Sequence, residues 1–254
     1  MTTMTVCPVS NHIDLPCLNQ VEWWEPLRWL KSGWNDFKAN WMSSLAIGAV
    51  FSIVGFILTQ IAWTHWYMSL TLTTGFLLLS PFLAIGFYEL SRRGEGGVRV
   101  MSSPVENLGS IGLFAALLMF SLSAWERISA ILVGLYLGPH HVPDASLTWL
   151  FSVDNWEFLA FYIPIGAILA ALVFSLSVVS LPMMMDRKVD AVTAVVTSLY
   201  AVRLNPLAMA FWAAIIVVAV AIGIATAFIG LAVIFPILGH ASWHAYRELI
   251  LVED

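Results

Sequence analysis

The chain is a series of long apolar stretches separated by short polar segments. Four stretches have about the 20 residues that a helix needs to cross the hydrocarbon core of a bilayer, and they cover 41–62, 69–90, 111–137 and 157–181. A fifth covers 206–246, and as one helix it would be roughly 60 Å long, about twice the hydrocarbon thickness. We therefore expect a helical hairpin that turns near 223–226, which gives six transmembrane helices.

The basic residues give these helices an orientation. All Lys and Arg residues except Arg127 lie before the first span, between the second and third, between the fourth and fifth, or after the sixth. Basic loops stay on the cytoplasmic side of a membrane, so we expect both termini to be cytoplasmic. The six helices then form three hairpins in one orientation, at about 41–90, 111–181 and 206–247, in a bacterial inner membrane.

Amphipathic segments precede the first and third hairpins. Their apolar residues recur at helical spacing, which is typical of a helix that lies on a membrane surface. We expect such a cytoplasmic elbow helix in each segment, with Asp190 capping the second and Pro206 ending it. The apolar positions are Trp23, Leu27, Leu30, Trp34 and Phe37 in the first segment, and Val192, Val195, Leu199 and Val202 in the second.

The composition agrees with a membrane protein. Hydrophobic residues make up 60% of the chain, charged residues 11%, and the mean hydropathy is +0.86, whereas soluble domains carry roughly 25% charged residues. We expect an all-α polytopic membrane domain over 21–254, preceded by a flexible cytoplasmic tail over 1–20 in which Cys7 and Cys17 stay reduced. No basic patch interleaved with aromatic residues is present, so we do not expect nucleic acid as a partner.

The first and last hairpins resemble each other. The segment "GFLLLSPFLAIGFYELSR" aligns with "GLAVIFPILGHASWHAYR", and "KANW" aligns with "RLNP". This alignment places Glu89 opposite His244 and Ile85 opposite His240. Repeats in the same orientation predict a pseudo-symmetry axis along the membrane normal.

Several blocks of the sequence also resemble a known family. The segments "LRWLKSGWNDFKAN", "GFLLLSPFLAIGFYELSRRGEGG", "SVVSLPMMMDRKVDAVTAVVTS" and "GHASWHAYREL" are similar to a bacterial family of integral membrane proteins of unknown function. Some members carry labels similar to cytochrome c oxidase subunit I. The resemblance, over roughly 25–250, implies a membrane fold and hints at respiratory association, but it implies no catalytic residues.

His240 and His244 are the first candidates for chemistry, because their spacing places both imidazoles on one face of a helix. They could share a metal ion, with Glu89 as a further ligand, or one of them could bind a haem with a histidine of another chain. A proton relay or a substrate contact is also open. The alternative is structural: His244 bonds to Glu89, while Trp243, Tyr246 and Arg247 form an interfacial belt.

Glu126 and Arg127 are the other ionisable candidates, since they lie inside the third apolar stretch. Charged residues at membrane depth are costly and are often functional. The alternative is that the helix leaves the hydrocarbon from about Trp125 onward, as an interfacial helix, and that both charges are hydrated.

No motif in the chain provides a catalytic set, so the leading hypothesis is a non-catalytic accessory or assembly subunit of a larger membrane complex, perhaps a respiratory one. Its partners would be the lipid bilayer and other membrane subunits or a second copy. A small-solute or ion transporter is the second hypothesis, motivated by the repeated hairpins and the charges at membrane level. A haem or metal protein that uses His240 or His244 is the third.

Overall fold

The computed structural model describes residues 5–7, 15–63, 84–94, 107–136 and 155–251. They are mostly α-helical, and a short antiparallel hairpin comes first, with β1 at Thr5–Val6 and β2 at Leu18–Asn19. The helices of the described ranges follow in chain order: α1 (Glu25–Ala39), α2 (Trp41–Trp63), α3 (Ile85–Gly94), α4 (Leu108–Tyr136), α5 (Trp156–Ser177), α6 (Ser180–Asp186), α7 (Ala191–Leu204), α8 (Pro206–Ala225) and α9 (Leu231–Leu249).

Among the described residues, four segments are long and apolar enough to cross a membrane: Trp41–Leu58, Leu108–Tyr136, Trp156–Asp186 and Pro206–Ala225. They correspond to the predicted first, third, fourth and fifth spans, which confirms a helical protein with several candidate spans. The predicted second span, 69–90, lies mostly outside the described residues. The six-span arrangement stays a prediction. Helix α9, the predicted sixth span, contains polar and charged residues and is not among the four segments that are apolar enough to cross a membrane.

The long apolar stretch of 206–246 contains a helix break, as its length required. Helix α8 ends at Ala225 and α9 begins at Leu231. Between them Ala227 and Phe228 have φ angles of 52° and 68°, a left-handed conformation that ends a helix. The expected turn is therefore confirmed, and it lies between Ala225 and Leu231, a few residues after the predicted 223–226.

Helix α4 differs from its prediction. It runs without interruption through Trp125, where the sequence suggested that an interfacial helix begins. Trp125 is buried instead, in an apolar cluster with Leu132, Phe158 and Tyr162. The tryptophan packs against other side chains of the protein, and the position at which α4 leaves the hydrocarbon stays a prediction.

The chain divides into two compact units. The first contains Met1–Ile53, Pro81–Phe114 and Phe174–Asp254, and the second contains Val54–Ser80 and Ala115–Val173. The core of the first unit is built around α9, which packs against α1, α3 and α8. Its largest fully buried side chains are Trp29, Trp212, Trp243, Tyr246 and Phe87.

Helix α1 has two different faces. The face that packs on α9 contains Trp29 and Gly33, which are buried. The predicted apolar stripe lies elsewhere, and its Trp23, Leu27 and Trp34 are exposed. Helix α7 repeats this arrangement, because small or polar residues are buried and Val192 of its apolar stripe is exposed.

The helices α1 and α7 both end at an asparagine with nearly the same backbone conformation. Asn40 follows α1 with φ −121° and ψ 35°, and Asn205 follows α7 with φ −124° and ψ 51°. An apolar helix begins directly after each asparagine. At the other end of α7, Asp190 caps the helix as predicted, since its Oδ1 accepts from the Thr193 N–H at 2.8 Å.

The start of the chain is tied to its end. Leu18 forms a β-bridge with Ile250, and the Leu251 N–H donates to the Cys17 carbonyl at 3.0 Å. Cys7 and Cys17 form a disulfide. The prediction of reduced thiols is therefore wrong. The flexible tail over 1–20 stays a prediction, and within it Thr5–Val6 pair with Leu18–Asn19 while residues 17–18 pair with the C-terminal segment.

Candidate functional site: a buried hydrogen-bond network

Five polar side chains from four helices of the first unit meet around His240. Helix α9 supplies His240 and His244, α1 supplies Asp36, α2 supplies Ser44 and α3 supplies Ser91. His240 and Ser44 have no exposed surface, and Ser91 is almost as fully buried. Buried polar groups need partners, and these five provide them for one another.

The contacts form an unbroken chain. Ser44 Oγ lies 2.9 Å from His240 Nε2, and Ser91 Oγ lies 2.6 Å from His240 Nδ1. The Ser91 hydroxyl donates to Asp36 Oδ2 at 2.6 Å, and His244 Nε2 lies 2.9 Å from the same oxygen. We call Ser44, His240, Ser91, Asp36 and His244 the His240 network.

Hydrogen-bond accounting gives the network a direction. A hydroxyl has one proton, and Ser91 uses it toward Asp36, so Ser91 must accept from Nδ1–H of His240. In the neutral imidazole the other nitrogen is then an acceptor, which receives the Ser44 hydroxyl. The donors therefore point from Ser44 through His240 and Ser91 to the carboxylate of Asp36.

Asp36 is the charged end of the network, and about a quarter of its side chain is exposed. Burial acts to raise the pKa of its carboxyl, but the hydrogen bonds from His244 and Ser91 and the attraction of both histidines outweigh it and hold the pKa below its ordinary value. The carboxylate is thus the form that the surrounding groups favour.

This lowered pKa predicts acid-dependent stability. A carboxyl with a lower pKa in the folded state stabilises the fold above its unfolded-state pKa, about 3.9, and the stabilisation is lost as the pH falls through the folded-state value. We expect Asp36→Asn to be less stable than the wild type at pH 7, with the gap closing as the pH approaches 3. Thermal unfolding in detergent micelles from pH 7 to pH 3 measures this gap.

The matched control for that experiment is Glu22→Gln, which removes an exposed carboxylate just before α1. Its stability relative to the wild type should change little with pH. A gap between Asp36→Asn and the wild type that stays constant down to pH 3 would contradict the assignment.

The sequence identified the two histidines but not their partners. The predicted Glu89 is bonded to Arg92, with Oε2 at 2.7 Å from the guanidinium Nη2. His244 Nε2 lies 2.9 Å from the carboxylate of Asp36, which the sequence did not suggest, and a contact between Glu89 and His244 stays a prediction. One sequence signal could have pointed to Asp36. Trp29, Gly33 and Asp36 are spaced by four and then three residues, which places them together on the face of α1 that the apolar stripe does not occupy.

The expected interfacial belt is also different. Trp243 and Tyr246 are buried, so they do not face lipid headgroups. The Tyr246 hydroxyl donates to Asp186 Oδ2 at 2.7 Å, and Arg247 Nη1 lies 3.6 Å from the same carboxylate. These groups hold the end of α9 inside the protein, and that part of the prediction is wrong.

Each ring nitrogen of His240 faces a hydrogen-bond partner. Among the residues that the structure describes, no group of three or more His, Cys, Asp or Glu side chains could hold a metal ion. Both ring nitrogens of His240 already lie at hydrogen-bond distance from serine hydroxyls. Ser44 stands against a base as a nucleophile would, but a hydroxyl with no exposed surface cannot meet a substrate.

Glu126 and Arg127 belong to the second unit, and both are exposed on α4. The guanidinium of Arg127 does not extend toward the end of the helix. Its Nη1 donates to the Ser123 hydroxyl at 2.6 Å and to the Ser123 carbonyl at 3.2 Å. Ser123 is next to the midpoint of this 29-residue helix, roughly 20 Å from either end.

The long apolar helices define the class of this molecule as an integral membrane protein. A family model described as "Predicted integral membrane protein (DUF2189)" matches residues 68–186, and the family resemblance is confirmed over those residues. The match includes Ser91, Glu126 and Arg127, whereas Asp36, Ser44 and both histidines lie outside it. No curated protein and no solved structure matches the chain.

Proposed function

We propose that the protein is a non-catalytic membrane subunit that binds a partner chain within the bilayer. The observation that carries this proposal is the position of Arg127. It is exposed on a helix that is long and apolar enough to span a membrane, and its guanidinium is bonded to a residue near the middle of that helix.

A charged group at this depth is expensive when it faces lipid, by at least about 2.5–3.5 kcal/mol on insertion scales. Long cationic side chains near helix ends reduce this cost by extending to the interface, but the Arg127 side chain folds back by one turn toward Ser123. Glu126 beside it adds a carboxylate at the same depth. A partner helix with complementary polar groups would remove both charges from lipid, as membrane interfaces do.

The experiment is purification of the tagged full chain from native membranes in a mild detergent. We expect the wild type to migrate as an assembly larger than the monomer, and Arg127→Gln to lose the partner. Polar contacts between membrane helices contribute about 1–2 kcal/mol, so association should weaken by roughly tenfold. Native gels and mass spectrometry of the co-purifying chains measure the effect.

Arg203→Gln is the matched control, because it removes an exposed arginine from α7, outside the four candidate spans, and should leave the assembly unchanged. A wild-type monomer with no co-purifying chain contradicts the proposal, and so does an Arg127→Gln variant that keeps its partner. A respiratory partner, as the family labels suggest, would bring haem-containing subunits that visible absorption detects.

For the topology we propose six spans in a bacterial inner membrane, with two elbow helices on the membrane surface. The pairing of residues 17–18 with 250–251 supports an even number of crossings, because two segments that pair directly would lie on the same side of a membrane. The exposed Trp23, Leu27 and Trp34 of the first stripe suit a surface position. The similar backbone conformations of Asn40 and Asn205 support the internal repeat.

The basic residues favour cytoplasmic termini, whereas the Cys7–Cys17 disulfide is what termini in an oxidising compartment would carry. Labelling of an introduced C-terminal cysteine, in a variant that lacks Cys7 and Cys17, decides between the two. A thiol reagent that cannot cross the inner membrane should leave that cysteine unmodified in intact spheroplasts if the termini are cytoplasmic.

A transporter of a small solute or ion is the second proposal, and the His240 network supports it, because buried ionisable groups in membrane proteins often mark ion paths. Haem or metal binding at His240 or His244 has less support, since hydroxyl and carboxylate groups occupy the relevant nitrogens. A visible spectrum and metal analysis of the purified protein test that hypothesis directly.

A further inference from the structure

We propose that the exposed side of α1 binds anionic phospholipids, with two lysines on the lipid phosphates and large apolar side chains between the headgroups. This surface consists of Trp23, Leu27, Lys31, Trp34 and Lys38, and we call it the α1 lipid face. The inference rests on the proposed position of α1 on the membrane surface, and it adds the class of lipid that the helix recognises. It does not depend on a partner chain at α4.

The five residues form one row along the helix. They follow one another at spacings of four, four, three and four, which places them on a single side of a helix, and all five are exposed. The buried residues of α1 that pack on α9 lie on the opposite side. A row that combines large apolar and cationic side chains is typical of a helix that lies in the interface of a bilayer.

Both ends of the α1 lipid face adjoin candidate membrane spans. The Trp23 ring lies 5.8 Å from the ring of Phe211, in the first two turns of the span that begins at Pro206. At the other end, Lys38 comes just before Trp41, the first residue of another candidate span. Residues level with the start of a span lie among the lipid headgroups when the span crosses a bilayer. The contacts of this surface therefore fit headgroups.

The lysines set the charge of the α1 lipid face, because the acidic residues of α1 face other groups of the protein. The Arg28 guanidinium donates to both carboxylate oxygens of Glu25 at 3.0 Å. Asp36 belongs to the His240 network. Glu22 is an exposed carboxylate before the helix, at the opposite end of the face from Lys38.

This positive charge selects anionic over zwitterionic lipids. The Lys38 ammonium lies 5.9 Å from the centre of the Trp34 ring, a cation–π distance that keeps the charge beside an interfacial aromatic side chain. All phospholipids carry a phosphate, but only anionic ones keep a net negative charge. Each lysine near an anionic surface strengthens binding by about fivefold. Phosphatidylglycerol should therefore bind in preference to phosphatidylcholine.

The test uses the full chain, labelled with fluorinated tryptophan, in nanodiscs that contain equal amounts of these two lipids. The chain has 12 tryptophans, and the fluorine signal that disappears in Trp34→Phe belongs to Trp34. A trace of spin-labelled lipid, with the label at one acyl position in either lipid, broadens this signal when that lipid lies beside Trp34. We expect labelled phosphatidylglycerol to broaden it at least about fivefold more than labelled phosphatidylcholine, the effect of a single lysine.

Three double variants assign the preference to the two lysines. Lys31→Gln/Lys38→Gln should make the broadening by the two lipids equal, whereas Lys31→Arg/Lys38→Arg keeps the charge and should keep the preference. Lys188→Gln/Arg203→Gln is the matched control, because it removes two exposed basic residues outside α1 and should leave the preference at Trp34 unchanged.

The outcomes separate the lipid preference from the surface position of α1. Equal broadening by the two lipids in the wild type would overturn the preference and leave the surface position intact. A Trp34 signal that neither lipid broadens would overturn both, since the face would then meet water or another protein chain. A preference that persists in Lys31→Gln/Lys38→Gln would overturn the role of the lysines.

Discussion

Replacement of Trp29 by alanine is expected to destabilise the protein by about 3–5 kcal/mol, the usual range for a fully buried tryptophan. Trp29 is 1% exposed on the inner face of α1. Its ring meets Trp212 edge to face at 5.9 Å, and its Nε1–H donates to Glu248 Oε2 at 2.6 Å. The substitution removes the packing and leaves the carboxylate of Glu248 without this donor. Unfolding by SDS in mixed micelles measures the change in free energy.

Trp34 is the matched control, because it lies on the same helix but is 44% exposed. Trp34→Ala loses the stacking on Phe37 at 5.6 Å and should cost about 1 kcal/mol or less. Trp29→Phe keeps most of the packing and should fall between the two alanine variants. Equal losses for Trp29→Ala and Trp34→Ala would show that α1 does not pack on α9 through Trp29.

These tryptophans illustrate what the pattern of the chain could predict. The helical spacing of apolar residues predicted α1, and the length of the apolar stretch 206–246 predicted the break between α8 and α9. Both predictions follow from local geometry. The spacing did not give the orientation of α1. In a soluble protein large apolar side chains indicate the packed face of a helix, yet Leu27 and Trp34 of α1 are exposed. A membrane surface offers a second apolar environment, so hydrophobicity alone does not say which face meets the protein.

The His240 network could be predicted only in part, because most of its contacts join residues that are far apart in the sequence. The spacing of His240 and His244 placed both on one helical face, which the structure confirms through their shared path to Asp36. Their partners come from 149 to 208 residues away in sequence, and a single sequence carries no signal for contacts of that range. Glu89 was chosen from the repeat alignment, whereas the carboxylate of Asp36 comes from α1, outside the aligned hairpins.

The disulfide and the pairing of the chain ends were missed because the segment before residue 21 has no helical or strand periodicity. Two short strands of two residues each form there, too short for an alternating pattern to register. What orders them is contact with the C-terminal segment, where the Asn19 side chain donates to the Glu248 carbonyl at 2.9 Å.

Gly33→Ala is expected to separate α1 from α9 and to disturb the His240 network at the same time. A Cβ on Gly33 would lie 2.6 Å from the Ala241 nitrogen and the Ile237 carbonyl oxygen of α9, and backbone atoms cannot move aside as a side chain can. Overpacking of this kind costs about 3 kcal/mol, the upper part of its usual range. Asp36 follows one turn later, so its bond to His244 should weaken and the acid dependence of stability should shrink.

Gly112→Ala in α4 is the control, because no atom lies within 4 Å of its added Cβ, and it should be neutral or stabilising by about 0.5–1 kcal/mol. SDS unfolding at pH 7 measures the change in stability, and thermal unfolding at pH 4 measures the change in acid dependence. A Gly33→Ala variant as stable as Gly112→Ala would contradict the close contact between α1 and α9.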